Sequence, residues 1–96
     1  MRSLEQIRSL LSTKKEELAD RFRVSEIAVF GSYARNEQTR ESDIDILVEF
    51  SSPVGVEFID LGEYLERILD LRVDLVSRKG IKPKYFNQIE SDLKYV

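Results

Sequence analysis

The sequence predicts an α+β (α/β) domain, a small mixed β-sheet with helices packed against it, and three observations carry that prediction. Ile27-Ala28-Val29-Phe30 is a short apolar run rich in strand formers and closed by Gly31, as a buried strand is. Asp43 to Phe50 alternates at first and then turns continuously apolar, the pattern of a central strand covered on both faces. A stretch of helical periodicity separates this second run from a third, Arg72 to Ser77, which makes the two strands candidates for a right-handed parallel crossover. With amphipathic segments at both ends, the expected order is α-β-(turn)-β-α-β-α.

Each element has its own local cause. Ser3 followed three positions later by Gln6 is a capping-box signature, and Leu4, Ile7, Leu11, Leu18 and Phe22 then recur at helical spacing, which predicts a first helix over about residues 4–21. Residues 32–42 are polar and hold at most a short helical turn. Ser51-Ser52-Pro53 ends the second strand. Phe58, Leu61, Leu65 and Ile68 or Leu69 mark one face of a helix over about 55–70. A last helix follows Pro83, whose missing N–H does no harm at the first helical position, with Phe86, Ile89 and Leu93 on its apolar face.

Composition bounds what such a domain does. The 96 residues predict one domain over 1–96, with no room for a separate substrate domain. A hydrophobic share of 42% beside 34% charged residues is that of a folded chain. Fifteen Lys plus Arg against 18 Asp plus Glu give a net charge of −3, so no stable nucleic-acid binding is expected. The absence of Cys and His removes thiol nucleophiles, imidazole bases and sulfur or imidazole metal sites. No apolar run approaches the roughly 18 residues of a membrane span, and the N-terminus is polar and amphipathic, so a cytoplasmic protein without membrane contact is expected.

The chemistry must then run on carboxylates, hydroxyls, amines or bound metal. Gly31-Ser32 is followed after ten residues by Asp43-Ile44-Asp45. Strand alternation places Asp43 and Asp45 on one side, where at an effective dielectric near 20 two carboxylates repel by about 2–3 kcal/mol. Asp74 lies within the otherwise apolar third strand; if that strand neighbours the second, three carboxylates converge. An all-oxygen set on strands suits Mg²⁺, which keeps waters and also takes substrate phosphates, and this points to a nucleotide substrate. A strand ending in Gly-Ser and turning into a helical segment offers backbone N–H groups and a hydroxyl to phosphate.

Gly31-Ser32-Tyr33-Ala34-Arg35 through Ser42-Asp43-Ile44-Asp45-Ile46-Leu47-Val48 resembles the signature of the DNA polymerase β-like nucleotidyltransferases, and the short length resembles their minimal branch. The resemblance covers nearly the whole chain. It implies that Gly31 and Ser32 bind the triphosphate of ATP, that Asp43 and Asp45 bind two Mg²⁺, and that Asp74 joins the metal site and helps activate the attacking hydroxyl. Arg35 is expected within reach of the nucleotide's phosphate oxygens, and Ser42 is expected to hydrogen-bond near the metal and nucleotide site. Minimal members are commonly encoded beside a HEPN-domain toxin, an RNase. The resemblance thus implies an antitoxin of a type VII-like pair that transfers AMP to a tyrosine hydroxyl of that toxin. Where the family often has Gly after the Arg, this chain has Asn36, which tolerates a left-handed backbone.

Rival readings remain at this point. Asp43 and Asp45 can be a solvated strand end paired to Arg35, Arg40 or Arg72, and Asp74 can be an edge acid facing water. A calcium loop is discarded, because Leu47 occupies the next ligand position and no Gly or distal Glu follows at the required spacing. Tyr33 is expected to pack against the sheet in preference to stacking on a base. A non-catalytic antitoxin that works by binding, and a nucleotidyltransferase for a small molecule, are the alternative functions.

Overall fold

The computed structural model describes residues 2–96. Helices α1 (Leu4–Thr13) and α2 (Lys15–Phe22) precede strands β1 (Val24–Phe30) and β2 (Ile44–Phe50). Helix α3 (Glu57–Leu69), strand β3 (Val73–Ser77), helix α4 (Pro83–Ile89), a 3₁₀ turn (Glu90–Asp92) and the short strand β4 (Lys94–Tyr95) follow. The sheet runs β3-β2-β1-β4. β2 is antiparallel to β1 and parallel to β3, and β4 is antiparallel to β1, so the expected mixed sheet and the parallel β2-α3-β3 crossover are both present.

The capping box forms as the sequence predicts: Ser3 Oγ accepts from the Gln6 N–H at 3.2 Å, and Gln6 Oε1 accepts from the Ser3 N–H at 2.9 Å. The expected single helix over 4–21, however, is two helices that meet at Lys14. The apolar stripe lacks a member between Leu11 and Leu18, where Lys14 and Lys15 stand, and the Thr13 hydroxyl donates back to the Leu10 carbonyl at 2.7 Å. β1 begins earlier than its apolar run suggests. Arg23 ends α2 with a left-handed backbone (φ 60°), and Val24 is already paired with Phe50 across a register shift that hides the strand's start behind exposed Ser25 and Glu26.

The two faces of the sheet carry different loads. Ile44, Ile46 and Val48 of β2, with Ile27 and Val29 of β1, join Ile7, Leu11, Leu18, Leu61 and Leu65 in the main core under α1, α2 and α3. On the opposite face Phe30, Leu47 and Val76 pack under Phe86, Ile89 and Leu93. Tyr64 closes the first layer: its hydroxyl donates to Glu17 Oε1 at 2.7 Å, and its ring lies 5.1 Å from that of Phe22. Asp45 and Asp74, flanking Leu47 and Val76 at strand spacing, fall on the second face, beside α4.

Leu65 is fully buried against both the helices and the sheet. Leu65→Ala is expected to cost about 2–5 kcal/mol by urea unfolding, against about 1 kcal/mol for Ser3→Ala, which removes only a cap.

Candidate active site

Register brings the candidate residues together. Phe30 at the end of β1 pairs with Asp45, and Asp45 pairs with Asp74, so one line across three strands holds the start of the Gly31 turn and two of the three acids. Gly31 has φ 75°, and a Cβ on it would overlap Asp45 Oδ2. Glycine is therefore required twice here, for the backbone and for the close passage of the carboxylate.

Residues Gly31 to Asn36 make one tight helical turn. The Arg35 N–H donates to the Gly31 carbonyl (3.1 Å), that of Asn36 to Tyr33 (3.3 Å), and that of Glu37 to Ser32 (2.8 Å). Asn36 closes the turn at φ 59°, the left-handed conformation expected of it in place of Gly. Tyr33, only 1% exposed, points into the main core and anchors the turn from below, as expected. Among the described residues, the turn's own backbone bonds use neither the Ser32 nor the Tyr33 N–H.

The carboxylates sit unequally. Asp45 is half-buried, and its pKa is pushed up from 3.8 to about 6, first by burial, then by neighbouring Asp74 and more weakly by Asp43, while the Arg35 charge opposes the rise. Asp74 is exposed at the partner position on β3. Asp43 lies just before β2 and is turned aside into an ion pair with Arg72, Nε to Oδ1 at 3.0 Å. The expected convergence of three carboxylates is thus a convergence of two. Among the described residues no group of three acids stands close enough to hold a metal ion. Asp43 instead takes the Arg72 guanidinium within its reach. The donor chemistry nonetheless fits a hard cation, since the two adjacent acids are all-oxygen ligands.

Two further candidates are engaged elsewhere. Arg35 bridges Glu37 (Nε to Oε1, 3.0 Å) and Asp92 (2.6 Å), which ties the turn to the 3₁₀ turn near β4. Ser42 Oγ accepts from the Thr39 N–H at 2.9 Å and so pins the loop that enters β2. Sequence reasoning missed Tyr85 and Asp92. Tyr85 lies on α4, and the charges of Asp45 and Asp74, after burial, raise its pKa. Its place four residues before Ile89, on a helix that follows β3, was the available signal. A concavity of about 650 Å³ opens at the other end of β2 and β3 among Phe50, Pro53, Ser77 and Arg78, and Asp43, Asp45 and Asp74 do not line it.

Gly31→Ala is expected to displace the Asp45 carboxylate and to destabilise by about 1–2 kcal/mol through left-handed strain, measured by thermal unfolding. The raised pKa of Asp45 gives a stability contribution that is complete below pH 4 and lost as pH rises through about 6. Asp45→Asn is therefore expected to raise stability at pH 7 by about 1 kcal/mol after discounting for exposure, read as a higher Tm, and the gain should vanish near pH 4.

Comparison with known proteins places this geometry among relatives. The model of the nucleotidyltransferase domain matches residues 11–96. The chain is 47% identical to the protein adenylyltransferase MntA of Thermococcus cleftensis, over all of this chain and 98% of that one. It superposes on a solved structure of a putative minimal nucleotidyltransferase with TM-score 0.82 and 32% identity, covering 97% of this chain and 95% of that one. A crystal structure of a toxin–antitoxin with AMP-PNP matches with TM-score 0.74 and 29% identity, over 88% of this chain and 69% of that one.

Proposed function

The chain belongs to the nucleotidyltransferase domain family, and we propose that it is a Mg²⁺-dependent protein adenylyltransferase that moves AMP from ATP to a tyrosine hydroxyl of a HEPN-domain toxin. In this reading it is the antitoxin of the pair and acts as a single unit over residues 1–96. The observation that carries the proposal is the line Gly31–Asp45–Asp74, which sets the glycine turn beside two adjacent carboxylates. The full-length likeness to a protein adenylyltransferase supports the acceptor class, and the likeness to a toxin–antitoxin with AMP-PNP supports the partner and the nucleotide. A protein acceptor also suits an acid that lies exposed on β3, away from the concavity at the other end of the strands.

Each residue has a task in that reaction. Gly31 and Ser32 cradle the triphosphate through backbone N–H groups and the Ser32 hydroxyl. Asp43, once released from Arg72, and Asp45 would hold two Mg²⁺, with Asp74 completing the site of one of them. When bound, Mg²⁺ supplies charge stabilisation to the attacking and leaving oxygens of an in-line displacement. Asp74 takes the proton of the acceptor hydroxyl. Arg35 holds the phosphate turn against Asp92 and stands beside the phosphate path, and Ser42 sets the approach of Asp43 and Asp45 through its loop. ATP as substrate implies the cytoplasm; no helix among the described residues is long and apolar enough to cross a membrane. The net charge of −3 argues against nucleic acid as a partner.

The Asp43–Arg72 ion pair is the one observation that favours the second reading, a non-catalytic antitoxin that silences its partner by binding. Intact mass spectrometry of the HEPN partner after incubation with this protein, ATP and Mg²⁺ separates the two. The expected result is a gain of one or more AMP units, lost with Asp43→Asn or with EDTA. A silent partner RNase with no mass gain would establish the binding mode instead.

A further inference from the structure

We propose that Tyr85 is an acceptor inside the chain's own site, so that in the absence of a partner AMP passes from ATP to the Tyr85 hydroxyl of the same molecule. The inference rests on the reading of the site as a protein adenylyltransferase.

Placement carries it. Asp45 and Asp74 occupy the sheet face that α4 covers, two residues along their strands from Leu47 and Val76. Phe86 and Ile89 fix α4 to that face, and Tyr85 projects from the same short helix with 41% of its surface exposed. Its phenol feels the charge of both acids. The other tyrosines lack one of these two properties. Tyr33 is 1% exposed in the main core, and Tyr64 is buried and spends its hydroxyl on Glu17. Tyr95 is 47% exposed, but it lies on β4, with β1 and β2 between it and β3.

The chemistry is that of the intermolecular reaction with a tethered nucleophile. The Tyr85 oxygen bonds to the α-phosphorus of ATP, the bond between that phosphorus and the bridging oxygen to the β-phosphate breaks, and pyrophosphate leaves with the electron pair. The phenolic proton passes to the Asp74 carboxylate and on to water. Tethering replaces a bimolecular encounter with a local one, so a slow reaction proceeds even without a docked partner. The nucleotide left on Tyr85 stands over the acids and competes with any incoming acceptor.

The test incubates the whole protein with ATP and Mg²⁺, with and without a HEPN-type partner, and reads intact mass and peptide maps. One AMP unit is expected on the peptide carrying Tyr85, absent in Tyr85→Phe, retained in Tyr95→Phe, and formed at a rate per molecule that does not change on dilution. AMP on the partner with none on Tyr85 overturns the inference and leaves the proposed function standing. AMP on neither protein overturns both. AMP on Tyr95, or a rate that falls on dilution, overturns the intramolecular transfer. A second readout needs no turnover: with no Trp in the chain, tyrosine emission is measurable. Addition of AMP-PNP and Mg²⁺ is expected to change it in the wild type and not in Tyr85→Phe, and equal changes in both would place the ring away from the nucleotide and overturn the proposal.

Discussion

The register of β2 against its two neighbours is the constraint from which the site follows. Side chains alternate along a strand, so Ile44, Ile46 and Val48 reach the main core only in the register that turns Asp45 and Leu47 to the other face. A slip of one residue would bury Asp45 among Leu61, Leu65 and Leu69 and turn three aliphatic side chains away from the main core. Burial of the isoleucines therefore decides where the carboxylate stands. The same pairing carries Asp45 to Asp74 on one side and to the end of β1 on the other. Hydrophobic free energy and site geometry are set by one set of ladder bonds.

Against that rigid frame stands an electrostatic arrangement that is not at rest. Asp45 and Asp74 are adjacent, and burial with mutual repulsion lifts Asp45 to about pH 6, near the range in which an enzyme works. Asp43 is drawn to Arg72, and Arg35 to Glu37 and Asp92. The positive charges nearest the acids are thus shared among exposed pairs that contribute little to stability and exchange partners readily. In the proposed reaction a cation with its phosphate ligand would meet carboxylates whose competing partners are weak, and the reorganisation it would require is a change of side-chain partners over an unmoved sheet.

Sequence reasoning reached the strands and the acid motif because both depend on local pattern. The continuous apolar run of β2, the glycine after Phe30 and the Ser3–Gln6 cap each have one structural solution, and each is present. What it missed depends on competition between distant parts. The break at Lys14 follows from a missing apolar layer and a threonine that bonds backward. The early start of β1 is hidden by a register shift. Of the three acids expected to converge, only two do, because the choice of Asp43 between Arg72 and its neighbours is made in space. Tyr85 and Asp92 reach the site from the last helix and the turn after it, far along the chain from the motif they join.

The Arg35–Asp92 tether makes the site a closing event in the order of synthesis. Asp92, with Lys94 and Tyr95 paired to β1, Tyr95 holding Arg8 through its carbonyl (2.6 Å), and the Val96 N–H on the Ile27 carbonyl (3.0 Å), braces the Gly31–Asn36 turn from sequence made after the other strands and helices. A nascent chain can pair β1 with β2 and assemble the main core while residues 92–96 are still missing, but its turn is then held from one side only. Chains halted on the ribosome before residue 92 would carry the acids without the brace, and the proposed nucleotide site would be assembled only once this segment is made.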